Sequence, residues 1–263
     1  MKIIVCTLCI NDWYYDVVRY AIRNLTNYCN THNYNLIVDY GKGSDTIYDG
    51  KREPAWYKLL LIKKIMLEQD FDYLFWYDID SQIIRHDIKL EYFIEKHFTD
   101  SIIDLVLPQD RTTFNTGTMF MRKSNFIIEL MTQTWENPNE FDRNFWDQTS
   151  MEELYKRDES IQSKIKILPF GPIKNELVIG WTHFDPEKTF IIHCARCSHN
   201  KLDFYFMMDL FYIFKLDEEN EHEYKLRIDW IKNKAVKYIE NICNGIDSPR
   251  PYSRRVKNIF NVE

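Results

Sequence analysis

Short apolar segments alternate with amphipathic ones through the first eighty residues, and this alternation restricts the fold more than any other feature. Residues 2 to 9 read as a strand. Residues 14 to 31 read as a helix, with Val17, Val18, Ala21, Ile22 and Leu25 along one side. Residues 35 to 39, NLIVD, form a second strand, followed by the loop YGKGSDTIYDGKREP. A second helix spans 55 to 68, and a third strand, YLFWY, spans 73 to 77. The β-α-β-α-β order predicts an α/β fold, with a parallel sheet and helices on both of its faces. Ligands of such sheets bind beyond the carboxyl ends of the strands.

The second half is less regular. IDLVLP (103–108), TGTMFMR (116–122), KIKILPF and KTFIIHC read as strands, and SNFIIELMTQTW as a helix capped by Ser124. There is no internal repeat and no linker long enough to divide the chain, so residues 1–200 read as one domain. Residues 201–246 read as helices packed on it. The apolar window 202–214 is too short for a membrane span and carries Asp203 and Asp209, so it reads as a core helix, with an interfacial membrane helix as the second reading. Tyr224, Ile228, Ile231, Ala235, Tyr238 and Ile242 recur at alternating spacings of four and three, with Asn244-Gly245 as the stop. This helix either packs on the body or forms a homodimer seam. Residues 247–263 read as a basic, mobile tail.

Charge and cysteine content narrow the function classes. The formal net charge is −6, with both signs interspersed, which argues against a nucleic-acid surface. The opening MKIIVCTLCI reads as a first strand rather than a secretory signal. Free thiols in a reducing compartment are therefore expected of the six cysteines. Cys6/Cys9 and Cys194/Cys197 have C-x-x-C spacing, but Cys6 and Cys9 fall in an apolar strand, whereas a zinc knuckle needs a turn.

The third strand runs into Asp78-Ile79-Asp80. At a strand end, residues two apart point to the same side. Two carboxylates aimed together repel unless a cation lies between them. They either bind a hard divalent ion such as Mn²⁺ or Mg²⁺ or are solvated acids. Asp70-Phe71-Asp72 has the same pattern but precedes the strand, where acidic residues are ordinary turn residues. His193 ends another expected strand, where its imidazole either is a satisfied structural histidine or serves a cation such as Mn²⁺. Lys58 shares the inward stripe of its helix with Ile62 and Ile65, while Lys63 and Lys64 face away. An inward lysine needs an anion, either a structural carboxylate or a bound phosphate. Asp110 precedes Asn115, Thr116 and Gly117, small groups that allow a ligand close to the backbone or simply make a turn. Asp147 and Gln148 begin a helix, where an acidic residue also complements the helix dipole.

Taken in order, these segments resemble the galactosyl/mannosyl/xylosyltransferases of glycosyltransferase family 34. PAWYKLLLIKKIML followed by DYLFWYDIDSQII is similar to the family's W-x-K helix and its D-x-D strand. QDRTTFNTGTMFM is similar to its D-x-x-x-x-N-T-G segment, WDQTSMEELY to its D-Q-[ST]-A-L helix, and FIIHCARC to its H-F-x-G-C strand. The resemblance spans roughly residues 3 to 200. It implies a GT-A fold: a Rossmann-like mixed central sheet flanked by helices, here with a C-terminal helical extension. It implies a retaining, metal-dependent transfer of a hexose or pentose from a nucleotide sugar to a glycan or other hydroxyl acceptor. A UDP-sugar is the favoured donor and GDP-mannose the second. By position, Asp78, Asp80 and His193 become ligands of Mn²⁺ or Mg²⁺. Lys58, Asp110, Asn115, Thr116 and Gly117 fall on the donor, and Asp147 and Gln148 near the anomeric carbon.

The chain departs from the family pattern at Arg196, which stands for a glycine, and at Ser198, which stands for the lysine that steadies the departing diphosphate. Arg196 is expected to take that role. The family's membrane anchor is missing, which favours a cytoplasmic enzyme. The richness in Asn, Ile, Lys, Tyr and Phe suggests an AT-rich viral or protist genome. Three alternatives stand beside this reading: a retaining enzyme of the family 8 type, an inactive nucleotide-sugar-binding protein, and a metal-dependent phosphohydrolase.

Overall fold

The computed structural model describes residues 1–10, 12–44, 46–109, 114–137, 146–169, 178–180 and 190–193. Asp110, Arg196, Cys194, Cys197, the C-terminal helices and the basic tail lie outside the described residues.

Three strands, β1 (Ile3–Leu8), β2 (Asn35–Asp39) and β3 (Tyr73–Tyr77), alternate with α1 (Asp12–His32) and α2 (Tyr57–Glu68), as the periodicity predicts. A short 3-10 turn at Pro54–Trp56 leads into α2. Then come β4 (Ser81–Ile83), α3 (Leu90–His97), β5 (Leu105–Pro108), β6 (Thr118–Arg122) and α4 (Asn125–Glu136). The described chain ends with α5 (Trp146–Arg157), α6 (Glu159–Lys164), β7 (Ile165–Leu168), β8 (Val178–Gly180) and β9 (Ile191–His193). The Ser124 hydroxyl caps α4 by accepting from the Ile127 amide.

Six strands form one mixed sheet in the order β2-β1-β3-β6-β5-β7. β1 is parallel to β2 and β3, and β5 is parallel to β7. β6 runs against both its neighbours, β3 and β5. β1, β3 and β5 are buried along almost their whole length because both faces of the sheet are covered there, while β2 and β7, at its two edges, are more exposed. On one face Ile4, Cys6, Leu74, Trp76, Met119 and Met121 pack against α2, α4, α5 and α6. On the other, Ile3, Val5, Phe75, Tyr77 and Phe120 meet α1, α3 and part of a second, three-stranded sheet, β4-β9-β8.

The topology places the site. From β1 the chain winds to β2 on one side and then to β3 on the other, so the strand order switches direction between β1 and β3. Such a switch point opens a crevice at the carboxyl ends of the two strands. Because β6 is reversed, its amino end lies beside the carboxyl end of β3, with Thr118 opposite Tyr77. The segment leading into β6, Asn115-Thr116-Gly117, is thereby brought to the crevice.

Candidate active site

Asp78 follows β3 directly, and the convergence of Asp78 and Asp80 is made by a turn rather than by strand alternation. The Ser81 amide donates to the Asp78 carbonyl at 3.0 Å, closing a tight reversal from β3 into β4. β4 then pairs antiparallel with β9, with Ser81 opposite His193. One ligand atom from each of Asp78, Asp80 and His193 falls within a mutual spread of 4.8 Å. The three side chains sequence reasoning assigned to a cation therefore lie together, held by two different sheets. Two carboxylates and one imidazole suit a hard or borderline divalent ion such as Mn²⁺ or Mg²⁺.

Lys58 is buried, 4% exposed, at the start of α2. Its ammonium lies 3.1 Å from Asp78 Oδ1, 3.4 Å from Asp147 Oδ2 and 3.4 Å from the Thr116 carbonyl oxygen. An ammonium has three protons, and these three residues accept them all. Of the two anions an inward lysine could serve, the carboxylates are the ones in reach. Burial pulls the Lys58 pKa down, but Asp147 and Asp78 outweigh it and hold the ammonium above its ordinary value. The Trp76 indole N–H donates to Asp78 Oδ1 at 2.7 Å, so that carboxylate is fixed from two directions.

Asp147 and Gln148 open α5, and both are buried. Asp147 Oδ2 accepts from the Thr116 hydroxyl at 2.8 Å, and Gln148 Oε1 accepts from the Thr116 amide at 3.4 Å. Burial raises the Asp147 pKa more than Lys58 pulls it down. His193 Nε2 stands 3.1 Å from Asp80 Oδ1. Burial opposes charge on both, yet each outweighs it for the other, so Asp80 sits below the carboxylate range and His193 above the ordinary imidazole value.

Asn115, Thr116 and Gly117 form a turn before β6 rather than the first residues of the strand. Asn115 Oδ1 accepts from the Gly117 amide at 2.8 Å, and the Gly117 carbonyl accepts from the Asp78 amide at 2.8 Å. Of the eleven residues assigned to the site, nine are therefore gathered at one place; Asp110 and Arg196 lie outside the described residues. The Asp70-Phe71-Asp72 pair behaves as an ordinary turn. Asp70 forms an exposed ion pair with Lys2, and Asp72 accepts from the Lys2 amide at 2.7 Å.

One neighbour was missed by sequence reasoning. Trp146, at the first position of α5, has φ 45° and is 37% exposed beside Asp147. A bulky residue in the left-handed region is uncommon. Nothing in the local sequence signals it, since tryptophan is a routine helix residue.

Residues 4–103 match the family model of the galactosyl transferase GMA12/MNN10 family, a stretch that includes Lys58, Asp78 and Asp80. Over that stretch the chain is similar to a family of galactosyl transferases. Among solved structures, the chain is similar to a glycosyltransferase involved in the glycosylation of the major capsid of PBCV-1. That match has TM-score 0.63 and 14% identity, covering 80% of this chain and all of the other. It is also similar to galactosyltransferase LgtC in complex with donor and acceptor sugar analogs, with TM-score 0.51 and 14% identity over 84% of this chain and 99% of that one. GlyE of Streptococcus pneumoniae TIGR4 aligns with TM-score 0.51 and 11% identity, over 90% of this chain and 64% of that one. No curated protein sequence matches the chain. The likeness to the solved structures establishes the GT-A fold. No helix among the described residues is long and apolar enough to cross a membrane.

Proposed function

We propose that this chain is a glycosyltransferase, a retaining, metal-dependent enzyme that moves a hexose or pentose from a nucleotide-diphosphate sugar to a glycan or other hydroxyl acceptor. A UDP-sugar is the favoured donor, with GDP-mannose second. The observation that carries the proposal is the meeting of Asp78, Asp80 and His193 at the switch-point crevice. Retention is the stereochemical course that the family resemblance implies.

Asp78, Asp80 and His193 would hold Mn²⁺ or Mg²⁺, which supplies Lewis-acid neutralisation of the diphosphate leaving group. The chain's own groups prepare the rest. Breaking the anomeric C–O bond builds positive charge on the sugar ring, and a buried carboxylate nearby stabilises it. Asp147 is that carboxylate, with Lys58 and the Thr116 hydroxyl fixing its orientation. Gln148 and the Asn115-Thr116-Gly117 turn flank the same space and would orient the donor sugar. Asp110 is assigned to the donor and Arg196 to the departing phosphate, on the resemblance alone. The exposed indole of Trp146 offers an apolar face against which a sugar ring could stack.

The test is nucleotide release from a panel of UDP- and GDP-sugars, with Mn²⁺ or with chelator, beside an Asp78→Ala/Asp80→Ala control. Release from one donor is expected, abolished by chelator and by the double substitution. Binding of a sugar nucleotide without turnover, with metal present, would favour the inactive binding protein instead.

A further inference from the structure

Gly117 touches both halves of the split cation site. Its carbonyl accepts from the Asp78 amide at 2.8 Å, which ties it to the end of β3. On its other side stands the imidazole of His193, from the small sheet. A Cβ built on Gly117 would lie 2.3 Å from His193 Cε1, 2.9 Å from His193 Nδ1 and 2.8 Å from Asn115 Oδ1. The backbone of Gly117 is not in the left-handed region, unlike Gly41, Gly43 and Gly50. Its conformation would accept an alanine, so what excludes a side chain there is space. The imidazole has little freedom to yield, because His193 is buried and its Nε2 faces Asp80 at 3.1 Å.

We propose that Gly117 is a positioning residue for the cation site: the missing side chain lets the His193 ring close onto the turn that holds Asp78. The inference rests on the metal reading above but assigns Gly117 a task apart from lining the donor. Relieving a 2.3 Å contact to ordinary van der Waals distance moves the ring by roughly an ångström, and metal–ligand distances tolerate only about ±0.2 Å. Any methyl group at position 117 therefore uncouples the imidazole from the two aspartates.

The experiment is calorimetric titration of the full chain with MnCl₂, without any sugar nucleotide. Wild type, Gly117→Ala, His193→Ala and the double variant are compared, with thermal melting of each metal-free protein. Gly117→Ala is expected to weaken Mn²⁺ binding about 10- to 100-fold, close to the loss in His193→Ala. In the His193→Ala background the same alanine should cause no further loss of affinity, because the imidazole it meets is gone; only the 2.8 Å approach to Asn115 Oδ1 remains, so any further drop in melting temperature should be small beside that of Gly117→Ala alone. Wild-type affinity in Gly117→Ala would overturn the proposal. An equal loss with and without the imidazole would overturn it too, since Gly117 would then act through Asn115 or the backbone. Should Gly117→Ala fail to fold, a double variant that folds like His193→Ala supports the proposal, and one that does not fold overturns it. A wild-type chain that takes up no Mn²⁺ overturns the metal reading and this inference together. Neither result depends on donor turnover, so failure of the glycosyltransfer assay is read separately.

Discussion

Lys58 holds two carboxylates that would otherwise repel each other, Asp78 at the cation site and Asp147 on α5. Removing one member of a buried charge cluster leaves the others uncompensated, which costs about 3–5 kcal/mol. Lys58→Met is therefore expected to destabilise the metal-free protein by about that amount, read as a lowered urea midpoint. The exposed pair Lys51–Asp49 is the control, because solvent screens it; Lys51→Met should leave the midpoint where it was. Equal effects of the two substitutions would contradict the role given to Lys58. The buried thiols make a second residue-level prediction. Burial raises the Cys6 pKa well above its ordinary value and pushes Cys9 up to about 11 and Cys29 up to about 12. The thiolate is the reactive form. Iodoacetamide at pH 8 should modify these three residues roughly a hundredfold more slowly in the folded protein than after unfolding. The linkage has a definite sign. Above the ordinary thiol value of 9.0 the unfolded chain loses these protons while the folded one keeps them, so stability falls as pH rises from there toward about 11. A stability that rose across that interval would contradict the burial.

At the scale of elements, the legible parts are those whose period is long and whose burial is two-sided. β1, α1, β2, α2 and β3 fall where the apolar pattern puts them, because strands covered on both faces, such as β1 and β3, must be apolar nearly throughout. The inward stripe of α2 identified Lys58 as buried before any coordinates, since helix geometry alone sets which side chains share a face. Short elements were not legible. β4 is only Ser-Gln-Ile and β8 only Val-Ile-Gly, too short to carry a period of two. Missing β4 meant reading the two aspartates as alternate strand residues, when a turn into β4 brings them together. The reversal of β6 was equally hidden, because strand direction follows from pairing and leaves no mark in composition. The site residues were recognisable one by one by chemical type. Their partners, Thr116 under Asp147 and Gly117 under His193, emerge only once β3, β6 and β9 are assembled.

Across the whole molecule, the cation ligands come from two sheets with separate hydrogen-bond networks, and α1 fastens the smaller sheet in place. Asn24 of α1 donates from Nδ2 to the Ile83 carbonyl at 3.0 Å and accepts at Oδ1 from the Ile83 amide at 3.1 Å. Ile84 directs its amide the other way, to the Phe190 carbonyl. The carboxamide of Asn24 therefore occupies the open side of β4, as a residue of a neighbouring strand would. The consequence reaches beyond the site. β4 is the outermost strand of its sheet, and an outermost strand with free amides and carbonyls invites another chain to add to it. A helix side chain that satisfies both groups closes that opportunity without adding a strand. Asn24→Leu, of similar bulk but with neither bond, is expected to stay folded when dilute and to self-associate as concentration rises, measured by light scattering against the parent chain. In this reading, one asparagine both covers the open side of β4 and holds the strand that leads out of Asp80 in register.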